Sequence, residues 1–431
     1  MRQYMPRRKF LVQTFYEPPR RNRTLRKVVV EVHTLLGDTG KICQVTMARI
    51  GVFGLNISVR SGGAYSLIKG LMGNARYSNN NFLYVGESNL TNHTFPKNVE
   101  LLTRPALARI ITQSLSHIPV THKLFASKST AGRLLSIATG IPQKIFNNVD
   151  AWLWPHCFSI VPNFKRTVVI CHDMIHKHFP EYFGFAALSR RSLGEKSLRN
   201  CALILCPSQT TLNDLLLNYP EFEPKTKIIP EAPCEMLSQW KCSGEIDNLR
   251  RSLVDTALFL FVGVDWPHKN HRLLVQAAVM LRSLTDKPFR IVFAGHRRNN
   301  SIAKTIRKYR AGDIVIDIGS ISRKKLVAYY SISTAFLFPS LFEGFGIPLV
   351  EAMYYGLPII ASNQSSTPEI CGKAAILLPP YSAELWAKEM LRMMTDETHR
   401  AAYSQLSYEN AARFSWRQTW KELDSALALY L

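Results

Sequence analysis

The chain has 431 residues, 46% hydrophobic and 20% charged, which suits one or two globular domains and excludes a disordered or fibrous protein. Its formal charge of +23 favours phosphates, acidic glycans or anionic lipid as partners. Nucleic acid is not expected, because no zinc-finger spacing or aromatic-studded basic strand accompanies the charge.

Residues 1–46 hold 10 Lys and Arg against 3 Asp and Glu, a net +7, with +9 over 47–235 and +7 over 236–431. Gln13 interrupts Phe10-Leu11-Val12 before a secretory core forms, and no apolar run reaches the roughly 18 residues of a membrane span. The Arg-rich run to Lys27 reads as a flexible basic extension, although KVVVEVHTLL (27–36) could form a strand. Met47 stands directly before the first convincing strand, so a chain starting there is expected to fold and act.

Strands are then expected at 48–55, 82–86, 167–173, 201–208 and 227–232, a Rossmann-like first domain over 47–235. The polar stretch Ser238–Asn248 reads as the linker. Further apolar runs stand at 257–264, 290–295, 313–319, 334–340, 357–362 and 374–379. Between them, Leu273, Leu274, Ala277, Ala278, Leu281 and Leu284 recur at helical spacing, as do Trp386, Met390, Met393 and Met394. Strands apolar on both faces alternating with helices predict a parallel sheet covered on both sides, a second Rossmann-like domain over 236–408. The eight cysteines include no CxxC pair, and are expected to be reduced, buried thiols of a cytosolic protein.

The chemistry concentrates in FLFPSLFEGFGIPLVEAMYYGLP (336–358). A strand ends at Pro339-Ser340, Glu343-Gly344-Phe345-Gly346 forms a loop, and Pro348 suits the first turn of a helix. Glycines at a helix start leave backbone N–H groups open to an anion, helped by the helix dipole. Glu343 and Glu351 flank that loop, and carboxylates beside a phosphate site suit hydroxyls. A sugar nucleotide offers both kinds of group.

EGFGIPLVE resembles the E-x7-E signature of retaining glycosyltransferases of the GT-B fold, family four. GLPIIASNQSSTPEICGKAAILLPP, FVGVDWPHKNHRLLVQAA and DIGSISRKKLVAYYSISTAFLFPS resemble the segments around it. In the first half, TVVICHDMIHKHFPEYF and CALILCPSQTTLNDL are similar to that family's His-Asp segment and its last strand and helix there. YENAARFSWRQTWKEL resembles its crossover helix, placing residues 409–431 back against the first domain. The resemblance covers about residues 47–425 and implies two Rossmann-like domains facing a central cleft.

Carried over residue by residue, the resemblance makes Lys269 the diphosphate-binding lysine, Glu343 the carboxylate against the donor sugar, and His172 the histidine beside that sugar. Gly344, Phe345 and Gly346 would offer amides to sugar and phosphate, Glu351 would bind ribose hydroxyls, and Gly62-Gly63 would approach the diphosphate across the cleft. Two positions depart from the family pattern: Val264 replaces the common basic residue after Gly263, and His268 replaces Arg before Lys269. Arg60 or His268 could compensate.

The resemblance implies retaining hexose transfer, mannose being favoured, from a nucleotide-diphosphate sugar to a glycan or lipid-linked acceptor. No DxD-type site stands at a suitable place, so neither a metal nor a separate cofactor is expected. The other readings are a GT-B epimerase or phosphorylase-like enzyme, or a catalytically dead basic scaffold for lipid or polyanion. The expected location is the cytoplasm, with the basic first half against the inner face of an anionic membrane.

Overall fold

In the computed structural model, which describes residues 47–54, 63–87, 95–104, 148–157, 166–233 and 243–430, the apolar runs pair into two sheets. The first has seven strands: β1 (Arg49–Gly54), β2 (Asn81–Glu87), β3 (Val99–Arg104), β4 (Ala151–Trp154), β5 (Arg166–Ile170), β6 (Leu203–Cys206) and β7 (Thr226–Ile228). Six form the second: β8 (Ala257–Val262), β9 (Phe289–Ala294), β10 (Val315–Gly319), β11 (Ala335–Phe338), β12 (Ile359–Ser362) and β13 (Ala375–Leu378). Their orders are β3-β2-β1-β4-β5-β6-β7 and β10-β9-β8-β11-β12-β13. All the pairings are parallel.

Beside the first sheet stand α1 (Gly63–Gly73), α2 (Phe185–Ser197) and α3 (Gln209–Asn218). The second carries α4 (Ser243–Ser252), α5 (His271–Leu284), α6 (Ser301–Lys308), α7 (Arg323–Ile332), α8 (Ile347–Tyr354), α9 (Thr367–Cys371), α10 (Ala383–Thr395) and α11 (Glu397–Ala411), and the chain then enters α12 (Trp416–Tyr430). The expected stripes account for much of the packing. Leu273, Leu274, Ala277, Ala278 and Leu281 are buried with Trp386, Met390 and Met393 on one face of the second sheet, whereas Leu284 is exposed. Leu349, Val350 and Met353 pack on the opposite face.

In each sheet the chain order reverses beside the first strand, where loops on either side part to leave a crevice. In the second sheet that point lies between β8 and β11, which pair through Phe259 and Ala335. The loop carrying Lys269 follows β8, and the glycine loop follows β11. Topology alone therefore brings these two distant segments together.

The fold is the expected α/β arrangement, with local corrections. Residues 243–248 are not linker but the start of α4, whose Ile246 packs on Val327 of α7. Two strands, β3 and β4, were not anticipated; β4 is four residues long and contains two tryptophans, both buried. Cys157, Cys171, Cys201, Cys206 and Cys371 are free, buried thiols. The expected extension 1–46, Gly62 and Arg60 lie outside the described residues.

The α12 helix crosses back to the first sheet. Trp420 packs its ring against Phe82, with centroids 4.9 Å apart, and donates its indole N–H to the Leu71 carbonyl at 3.2 Å. Trp416 donates to the Pro233 carbonyl at 2.7 Å, and Thr419 to that of Pro230 at 2.8 Å. Asp424 accepts from the Ser78 hydroxyl at 2.8 Å and the Asn80 amide at 2.9 Å. Burying two tryptophans there removes a large apolar area from water.

Candidate functional site

The glycine loop is shaped by its carbonyls. Ser365 donates its hydroxyl to the Glu343 carbonyl at 2.7 Å, and Ser366 donates to that of Phe345 at 3.2 Å. Between them the Gly344 carbonyl accepts from Ser208 at 2.6 Å and Thr211 at 3.1 Å, both on the side of the first sheet. Across a trans peptide the C=O and the following N–H point in opposite directions. Tying down three successive carbonyls therefore fixes the directions of the three amides that follow them. Those of Gly344, Phe345 and Gly346 have no hydrogen-bond acceptor among the described residues.

Gly346 caps α8 with φ +98°, a left-handed conformation that glycine adopts without a Cβ penalty. Three free amides leading into a helix N-terminus make an anion-binding concavity. The Phe345 side chain takes no part in it; it is buried, edge-on to Phe414.

Lys269 reaches this loop from the other side of the crevice. Its ammonium lies 2.6 Å from a carboxylate oxygen of Glu343, and the two side chains are only 14% and 11% exposed. Asn270 holds the lysine loop in place, donating to the carbonyls of Pro339 at 3.3 Å and Pro380 at 2.8 Å. The Leu341 amide donates to the His268 carbonyl at 2.7 Å, tying the two loops directly.

Glu351 is buried on the first turns of α8. It accepts from the Arg323 guanidinium at 2.6 Å and the Tyr330 hydroxyl at 3.0 Å. Burial, and then the Glu351 charge, push the Tyr330 phenol well above its usual pKa, so it remains a donor.

His172 comes from the first sheet. Its backbone carbonyl fills the space that a Cβ on Gly344 would need. Its ring lies between two acceptors, the Pro155 carbonyl at 2.8 Å from Nε2 and Glu231 at 3.3 Å from Nδ1. Burial pulls its pKa down, but the hydrogen bond and charge of Glu231, with the Pro155 carbonyl, raise it on balance. Its surroundings thus shift the ring towards the protonated form, and both nitrogens are already engaged.

The structure brings His172, Lys269, Glu343, Gly344, Phe345, Gly346 and Glu351 to the facing ends of the two sheets; Gly63 begins α1. His268 does not supply a replacement cation. Burial, followed by the charges of Lys269, His271 and Arg298, drives its pKa well below the ordinary value, so the ring is neutral. Sequence reasoning missed Ser208, Thr211, Glu231, Ser365 and Ser366. Their only local signal is position: most stand just beyond the C-terminal end of a strand, where ligand-facing loops begin.

Residues 246–410 match the family model described as glycosyl transferases group 1. The chain is 26% identical over 355 residues to the O-antigen chain mannosyltransferase B of Escherichia coli, covering 74% of this chain and 91% of that protein. Among solved structures, Anabaena HepE in complex with UDP and glucose superposes with a TM-score of 0.64 at 16% identity, covering 89% of this chain and 100% of that one. WaaG, a glycosyltransferase involved in lipopolysaccharide biosynthesis, gives a TM-score of 0.65 at 15% identity over 88% of this chain and 98% of its own. These structural likenesses establish the fold, the two-domain GT-B arrangement.

Proposed function

We propose that this chain, a group 1 glycosyltransferase, moves a hexose from a nucleotide-diphosphate sugar to a hydroxyl of a glycan or lipid-linked acceptor, with retention at the anomeric carbon. The observation that carries the reading is the glycine loop: three amides without acceptors directly after Glu343, whose carboxylate Lys269 reaches. Cleavage of a sugar–diphosphate bond leaves added negative charge on the terminal phosphate. Donors fixed beforehand at that position stabilise the transition state more than the ground state.

In the proposed sequence the diphosphate takes the Lys269 ammonium and the loop amides, and Glu343 turns to hydroxyls of the transferred sugar. Glu351 binds the ribose diol. The bond from anomeric carbon to phosphate oxygen breaks as the acceptor oxygen approaches on the same face, and the acceptor proton passes to the departing phosphate. Lys269 and the amides carry the leaving-group charge, the part a divalent cation plays in other transferases. The His172 backbone sets the first domain's wall of the cleft against Gly344.

Mannose is the proposed sugar, on the likeness to a protein named as a mannosyltransferase. A location at the inner face of the membrane is proposed on the charge of +7 over residues 1–46 and +9 over 47–235. Thermal-shift measurements across GDP-, UDP- and ADP-linked sugars, followed by transfer assays with the stabilising donor, test the proposal. One donor should raise Tm and be consumed faster with a glycan acceptor. No shift with any of them would remove the nucleotide-sugar reading.

A further inference from the structure

Glu369 lies on α9 of the second sheet's layer, yet its carboxylate serves a helix of the first. One oxygen accepts the Gln209 amide at 2.7 Å; the other accepts the Thr210 amide at 3.0 Å and the Thr210 hydroxyl at 3.1 Å. The first amides of a helix lack partners within it, and a carboxylate there also answers the positive end of the dipole. Ser208, the N-cap of α3, accepts from the Thr211 amide at 3.1 Å. The N-terminus of α3 is therefore capped twice, once from its own chain segment and once from the opposite domain.

The residues capped in this way are those that grip the glycine loop. Ser208 and Thr211 supply both donors to the Gly344 carbonyl. That carbonyl and the Phe345 amide belong to one peptide plane, so the direction of the first fixes the direction of the second. Withdraw α3, and the Gly344 carbonyl loses both partners and the plane is free to rotate. The Phe345 amide would then no longer be committed to the phosphate side.

We infer that Glu369 is a positioning residue for glycosyl transfer: by pinning the start of α3, it makes the first domain hold the Gly344–Phe345 peptide in its anion-facing orientation. The inference rests on the glycine loop being the donor site. Lys269, Glu351 and the Gly344 and Gly346 amides, whose peptides Ser365 and Ser366 hold, all stand without α3, so most of the donor's contacts survive the loss of Glu369. Chemistry depends on it more, because a peptide that points wrongly for part of the time lowers kcat.

The test uses the full chain with Glu369→Gln, which keeps shape but removes charge, and Glu369→Ala. Transfer kcat is expected to fall about tenfold or more in the alanine variant, less in the glutamine variant, with donor Kd within about threefold of the parent. Hydrogen exchange at the Gln209 and Thr210 amides should quicken together, while amides of β8 and β9 stay protected. A folded Glu369→Ala protein with parental kcat overturns the inference, as does a loss that falls on donor Kd alone. Lys269→Ala serves as the separate control. If it transfers normally, the donor-site reading has failed; if it is inactive while Glu369→Ala is not, only the role of Glu369 has failed.

Discussion

The backbone carbonyl of His172 occupies the space that a side chain at Gly344 would require, so the two domains meet at a glycine. Substituting alanine drives a methyl group into backbone rather than into a movable side chain. Overpacking of this kind costs about 1–3 kcal/mol, and here either the loop or the His-Asp segment must give way. Gly344→Ala should therefore fold, with Tm lowered by several degrees, and transfer at no more than about a tenth of the parental rate. Parental turnover would mean that the contact has no bearing on the chemistry.

The pairing of Lys269 with Glu343 separates stability from activity. Both side chains are largely buried, so removing one leaves the other uncompensated, at a cost approaching about 3 kcal/mol. Lys269→Ala and Glu343→Ala should each lower Tm and reduce kcat/KM by about a hundredfold or more. The double variant Lys269→Met, Glu343→Gln should recover Tm without recovering transfer. Recovery of both would make the pair purely structural.

Charge on His172 makes stability depend on pH. Its folded pKa lies above the ordinary 6.5, burial having been outweighed by Glu231 and the Pro155 carbonyl. A group of this kind contributes fully below its unfolded pKa, and that contribution fades as pH rises through the folded value. The Tm gap between the parent and Glu231→Gln should accordingly be widest near pH 6 and narrow towards about pH 9. A gap that stays constant over this range would show that no proton is linked to the contact.

Association with lipid is expected to be electrostatic. The chain should bind vesicles rich in anionic lipid at low salt and leave them as salt approaches about 0.5 M, where the Debye length falls to a few ångströms. Co-sedimentation measures this directly. Equal binding to neutral and anionic vesicles would remove the membrane part of the proposal.

Much of the fold can be read in the sequence because its information is periodic and local. Runs such as Ala257–Val262 are apolar on both faces, and the stripe from Leu273 to Leu281 needs no knowledge of distant residues. The strand Ala151–Trp154 escaped because four residues carry almost no period, and Val99–Arg104 because its glutamate and arginine interrupt the apolar run. At the site, Glu343, Gly344 and Gly346 announce themselves through one short segment. Glu231 and Glu369 do not, since each acts on a group far along the chain: Glu231 lies 3.3 Å from His172, and Glu369 meets the start of α3. Nothing in the bare string distinguishes Glu369 from a solvated helix-end carboxylate. Its meaning comes only from the helix that lands on it.

Because α12 seals the surface formed by α1 and β2, a segment made early is completed by one made much later. Phe82 and the Leu71 carbonyl wait for Trp420 throughout synthesis of more than three hundred intervening residues. Until α12 has emerged, the first sheet carries an uncovered apolar strip. A chain that stalls or ends before α12 would thus expose that strip hundreds of residues away from the damage, where holdase chaperones would find it first.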